Sequence, residues 1–127
     1  MKILICDKLD KKVINNLSGV GSVVDISSQE KKSLIEEEIV DASIVIIRSS
    51  TIITKDLIES SKKLKIIARA GVGVDNIDIQ AATNRNIYVV NAPLSNVVSA
   101  AELTVGLILA VARNIVPANL SMKNSEW

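Results

Sequence analysis

The chain has 127 residues, 48% of them hydrophobic, which is enough to bury one real core. Fifteen basic and 14 acidic residues leave a net charge of +1, and aromatics make up 2%. No nucleic-acid or membrane partner is therefore expected. With no histidine and one cysteine, a disulfide framework, a Cys/His zinc site and the Ser-His-Asp or Cys-His nucleophile are excluded, and no metal site is expected.

In chain order, Met1–Asp7 is too short an apolar run for a signal peptide, which makes the cytoplasm the expected location. Ile3–Cys6 reads as a strand, and Cys6 within it as a buried thiol rather than a nucleophile. Asp10 caps a helix carrying Val13, Ile14 and Leu17, with Gly19 as its stop. Ser22–Ile26 is the second strand. Ser27-Ser-Gln-Glu30 has capping-box spacing ahead of a helix with Leu34, Ile35 and Ile39, on which Glu36, Glu37 and Glu38 form a solvated face. Ser43–Ile47 is the third strand, and Thr54 caps a helix carrying Leu57 and Ile58. Leu64–Ala68 and Ile87–Val90 complete the strands, with a helix between them that Asn76 caps and Asp78 favours in its first turn. Strands alternating with helices imply parallel pairing and right-handed crossovers, hence a doubly wound α/β sheet.

From Asn86 to Met122 the only charges are Glu102 and Arg113. Ser99-Ala-Ala-Glu102 is a second capping box, with Val98 and Leu103 placed for a hydrophobic staple. It opens a helix over 99–115 that must stop by Pro117. This helix is apolar on every face and too short for a membrane span, so it expects burial on all sides. A partner subunit, a second domain or a place in the core would each supply that burial. Gly106 in mid-helix suggests a close backbone approach.

Arg69-Ala-Gly-Val-Gly-Val-Asp-Asn76 nearly makes a dinucleotide fingerprint, but its third small position holds Asn76. A Gly-x-Gly turn between strand and helix still suits an anion smaller than a pyrophosphate. The carboxyl ends of the strands supply Asp7, Arg48-Ser49-Ser50, Arg69 with its glycine loop, and Asn91 to Asn96. Two arginines beside a glycine turn point to a small anionic molecule bearing carboxylate, phosphate or both. Alternatively the arginines pair with Asp75 or Asp78, and Asn91 and Asn96 are turn formers. A receiver domain is excluded because the third strand ends in Arg48 and no lysine follows Ile87–Val90. A flavodoxin is excluded because Cys6–Asp10 is no phosphate loop.

Arg69–Asp78, followed by Asn91-Ala-Pro93 and Ser99–Gly106, resembles the amino-terminal part of the NAD-dependent D-2-hydroxyacid dehydrogenases. Ile47–Thr51 and Ser121–Trp127 narrow the resemblance toward members that oxidise 3-phosphoglycerate to 3-phosphohydroxypyruvate for serine biosynthesis. The resemblance covers essentially the whole chain. It implies a flavodoxin-like, five-stranded substrate-binding domain over 1–97. Residues 98–127 would be an interdomain helix leading toward a Rossmann domain and joining a homodimer interface. By matching position, the backbone at Val72 and Gly73 would hold the substrate carboxylate, with Val72 beside the nicotinamide of NAD. Arg48, Ser49, Arg69 and Asn96 would contact the phosphate-bearing end or line the cleft, and Thr104 would lie near the nicotinamide. The substrate implied is 3-phosphoglycerate or another 2-hydroxy acid. The family's NAD motif and its catalytic arginine, glutamate and histidine belong to a later segment. No catalytic residue is thus expected here, and the chain alone should not turn over. A stand-alone anion-binding or association module is the alternative.

Overall fold

The computed structural model describes residues 1–28 and 31–126, with the backbone alone at Lys31 and Lys32. It divides into two units, Met1–Pro93 and Leu94–Trp127, each described by itself.

In the first unit β1 (Lys2–Ile5), β2 (Ser22–Asp25), β3 (Ile44–Ile47), β4 (Ile66–Arg69) and β5 (Tyr88–Asn91) form one sheet in the order β2-β1-β3-β4-β5. Every pair is parallel. The five apolar runs read from the sequence all become strands, because β-branched side chains suit a pleated surface. Register aligns Val24, Leu4, Val45, Ile67 and Val89 in a row across the sheet. That row faces the main core with Ile35, Ile39, Ile58 and Ala82. On the other face the row through Ile3, Ile44 and Ile66 goes from 0% exposure at Ile3 to 74% at Tyr88.

The connecting helices are α1 (Lys11–Ser18), α2 (Lys31–Glu38), α3 (Lys55–Ser60) and α4 (Ile79–Asn84). Asp10 caps α1 by accepting from the Lys12 N–H at 2.8 Å, and Thr54 caps α3 through the Leu57 N–H at 3.4 Å. Such caps stabilise by about 1 kcal/mol each. Gly19 ends α1 in a right-handed conformation. The capping box at Ser27–Glu30 lies partly outside the described residues. Glu38 is not simply solvated, since Lys2 Nζ reaches its carboxylate at 2.6 Å.

The cap of α4 departs from expectation: Asp78 takes the Ala81 N–H at 2.8 Å, whereas Asn76 is turned inward and buried. Tertiary contacts claimed Asn76 first. Arg85 caps the other end of α3, donating to Ile58 O at 2.6 Å, Glu59 O at 3.1 Å and Ser61 O at 2.8 Å. A cation there complements the negative end of the helix dipole.

The second unit holds α5 (Val97–Ala112) and α6 (Ile115–Lys123), bent by 60° about left-handed Asn114. Helix α5 begins two residues before the expected Ser99, so Ser99 and Glu102 lie inside it and form no capping box. Asn96 occupies the cap position without a side-chain hydrogen bond. Helix α5 ends at Ala112, ahead of Pro117 as expected, and Pro117 falls in the first turn of a second helix, α6, where its missing N–H costs nothing. No residue of α5 or α6 is buried, which removes the core-helix alternative. Nothing lies within 4 Å of a side chain built at Gly106, so the close approach expected there is not made within this chain. Among the described residues no single helix is long and apolar enough to cross a membrane.

Candidate functional site

In this sheet the order of strand addition reverses between β1 and β3, and open α/β sheets bind ligands in the crevice beyond the carboxyl ends at such a point. Here the protein fills the crevice itself. Asp7, one residue beyond Cys6 and 2% exposed, accepts from the Arg48 N–H at 2.6 Å, Ser50 Oγ at 2.5 Å, and the Thr51 N–H and Oγ1 at 3.2 and 2.9 Å. The carboxylate is thus committed to the loop after β3, and the open surface shifts to the ends of β3 and β4.

In the loop after β4 the carbonyls are each held by a donor. Gly71 O accepts from the Ala92 N–H at 2.9 Å, Val72 O from Asn91 Nδ2 at 2.6 Å, and Gly73 O from Arg69 Nη1. Among the described residues no acceptor takes the N–H of Val72 or of Gly73, and both residues are exposed. Two adjacent N–H groups left without a protein acceptor can serve an anionic oxygen. Neither glycine has positive φ; the loop needs glycine for space. A side chain at Gly73 would meet Asp75 Oδ1 at 2.8 Å and Arg69 Nη1 at 3.2 Å. Asn91, read from the sequence as a turn former, proves to be a brace for this loop.

Arg48 and Ser49 follow β3 and are exposed, next to the β4 end through the Ala70 N–H to Ile47 O bond of 2.9 Å. Among the described residues the Arg48 guanidinium donates only to Lys8 O, at 3.4 Å. Arg69 is half-buried and spends Nη1 on its own loop, while its Nε is buried without a partner. Among the described residues neither arginine pairs with Asp75 or Asp78; each donates to a loop carbonyl instead. Arg48, Ser49, Arg69, Val72 and Gly73 thus share one edge of the first unit. Asn96 and Thr104 belong to the second unit, where the Thr104 hydroxyl donates to Ala100 O at 2.7 Å.

A hollow of about 380 Å³ lies beside Ile35, Ile52 and Leu57, with Ser50 and Thr51 on its wall, and neither the two arginines nor the glycine loop lines it. Among the described residues no cluster of His, Cys, Asp or Glu could hold a metal ion.

Residues 3–123 match the family model of the D-isomer specific 2-hydroxyacid dehydrogenase catalytic domain. The D-3-phosphoglycerate dehydrogenase of Methanocaldococcus jannaschii is 50% identical over 127 residues, covering 100% of this chain and 24% of that protein. The cofactor (NAD+)-bound 3-phosphoglycerate dehydrogenase of Entamoeba histolytica is 37% identical with a TM-score of 0.73, covering 87% of this chain and 38% of that one. The NAD-dependent formate dehydrogenase of Staphylococcus aureus in complex with NAD has a TM-score of 0.82 at 28% identity, covering 100% of this chain and 43% of that one. The chain therefore spans about a quarter of the length of the curated relative. With its parallel sheet, its glycine loop and its match over residues 3–123, the chain belongs to the D-isomer specific 2-hydroxyacid dehydrogenase family.

Proposed function

We propose that these residues are the substrate-binding part of a D-3-phosphoglycerate dehydrogenase, which oxidises the C2 hydroxyl of 3-phosphoglycerate to the ketone with NAD as hydride acceptor. The observation that carries this reading is the pair of N–H groups at Val72 and Gly73 that no acceptor takes among the described residues, one strand from the guanidinium of Arg48. Backbone N–H groups suit the substrate carboxylate, and a planar arginine fork suits the phosphate. Ser49 adds a hydroxyl beside Arg48, Arg69 braces the carboxylate loop, and Asn96 lines the cleft.

These residues do not build a cradle for the body of NAD. The third glycine position is Asn76, whose side chain is buried, and α4 starts only at Ile79 with its first turn capped by Asp78. Val72 and Thr104 would meet the nicotinamide edge alone. With no histidine present, the proton-accepting group also comes from elsewhere in the enzyme, and residues 1–127 alone bind substrate without turning it over. The exposed apolar helix α5 joins two copies into a homodimer.

Calorimetric titration of the intact protein with 3-phosphoglycerate and with D-glycerate, which lacks the phosphate, tests the assignment. Arg48→Ala weakens 3-phosphoglycerate binding roughly tenfold to a hundredfold, the range for hydrogen bonds to charged groups, and leaves D-glycerate nearly unaffected. Unchanged 3-phosphoglycerate affinity in that variant refutes the phosphate assignment.

A further inference from the structure

Asp7 and Asn76 are buried polar residues from the loops after β1 and β4, and both are aimed at the same two residues of the loop after β3. Asp7 accepts the N–H of Arg48 at 2.6 Å and the N–H of Thr51 at 3.2 Å. Asn76, 9% exposed, donates Nδ2 to the carbonyl of Arg48 at 2.7 Å and to that of Thr51 at 2.5 Å. The amide orientation is fixed by chemistry, since an oxygen there would face two acceptors. Each of the two residues is therefore gripped at its N–H from one side and at its carbonyl from the other. Asp7 adds bonds from Ser50 Oγ at 2.5 Å and Thr51 Oγ1 at 2.9 Å. The backbone continues the seam, with the Ile53 N–H on Asn76 O at 2.9 Å and the Asp78 N–H on Ile53 O at 3.0 Å.

Exposed loops normally leave such groups to water. Here two side chains replace that water and set where the chain leaves β3, while the Arg48 side chain is held only by one long contact to Lys8 O. The backbone beneath the guanidinium is fixed and the guanidinium itself is left unspent. The Asn76 amide oxygen is buried with no partner, so the residue gives up one hydrogen bond while its other end grips both carbonyls.

We propose that Asp7 and Asn76 are positioning residues that act through Arg48, clamping the loop so that Arg48 and Ser49 meet the ligand already oriented; this rests on the reading of Arg48 as a ligand contact. Pre-orientation lowers the ordering cost of binding. The clamp therefore raises affinity only while the Arg48 side chain is there to be oriented.

A double-mutant cycle on 3-phosphoglycerate affinity in the intact protein tests this, using wild type, Asn76→Ala, Arg48→Ala and the double variant. Asn76→Ala is expected to weaken binding about tenfold with Arg48 present and less than about twofold once Arg48 is alanine. Equal losses in the two backgrounds overturn the clamp while leaving Arg48 a ligand contact. No loss from Arg48→Ala alone overturns the site reading and the clamp together. Should Asn76→Ala fail to fold, Ser50→Ala carries the same cycle from an exposed position. A loss seen only with Arg48 present, restored by Ser50→Thr, supports the clamp; equal losses, or none in either background, overturn it.

Discussion

A methyl group at Gly73 would press on two side-chain ends, Asp75 Oδ1 at 2.8 Å and Arg69 Nη1 at 3.2 Å. Asp75 is exposed and can swing away, but Arg69 Nη1 is the donor that holds the Gly73 carbonyl. Moving it frees that carbonyl to turn outward, toward where an anion would sit. Gly73→Ala should then leave stability within about 1 kcal/mol, as for most exposed loop changes, while 3-phosphoglycerate affinity falls roughly tenfold. A side chain at Gly71 meets the same Arg69 Nη1 at 3.3 Å, nearly as tightly, so Gly71→Ala should weaken binding in the same direction. Parallel thermal melts and titrations of the two variants separate folding from binding. Wild-type affinity in both Gly73→Ala and Gly71→Ala would show that the loop carbonyls need not be held for the N–H groups to work.

Helix α5 poses the problem of the next scale: sixteen residues, apolar on all sides, with Leu103, Leu107 and Val111 between 57% and 77% exposed. A helix of that composition gains by burying its surface against another. Leu107→Glu should therefore raise the dissociation constant of the proposed dimer at least about tenfold, since a buried unpaired carboxylate is costly, with the sheet unit melting as before. Sedimentation of both proteins across micromolar concentrations decides it, and a wild type that stays monomeric throughout sinks the assignment. The helix also shows what the sequence could and could not convey. Strands at Ile44–Ile47 and Ile66–Arg69, and caps at Asp10 and Thr54, were legible because each depends on residues a few positions apart. Asn76 and Ser99 both carried cap-like local signals and neither caps a helix. Asn76 is drawn to carbonyls 25 and 28 residues away, and α5 starts early because Val97 and Val98 extend its apolar pattern. The site divides the same way. The glycine loop and Arg48 stand out as motifs, whereas the Asp7 bonds span 41 to 44 residues and exist only once β1 and β3 are neighbours.

At the scale of the whole molecule, the buried residues among those described all lie in the Met1–Pro93 unit, so thermal unfolding reports chiefly on the sheet. Lys2 ties the first strand to the end of α2, with Nζ on Glu38 O at 3.0 Å, on the Glu38 carboxylate at 2.6 Å, and on the Asp41 carboxylate. Burial pushes the Lys2 ammonium down, yet its hydrogen bonds to Asp41 and Glu38 and their charges together raise it above 10.5. The Lys2 hydrogen bond chiefly lowers Asp41 below 3.8, against a weaker opposing effect of desolvation. A raised ammonium contributes fully below 10.5 and loses its contribution as pH climbs through the folded value. A depressed carboxylate contributes fully above 3.8 and loses its contribution as pH falls through the folded value. The melting temperature should accordingly be level across neutral pH as far as this cluster is concerned, declining at both extremes. Lys2→Met keeps most of the aliphatic stem and removes the charge, so it should lower the plateau and flatten both declines relative to wild type. The gap between the two proteins should narrow in high salt, because Asp41 is largely exposed and its attraction is screened. Parallel pH profiles, with both declines as steep in Lys2→Met as in wild type, would assign them to other groups and leave the Lys2 cluster without influence on the sheet.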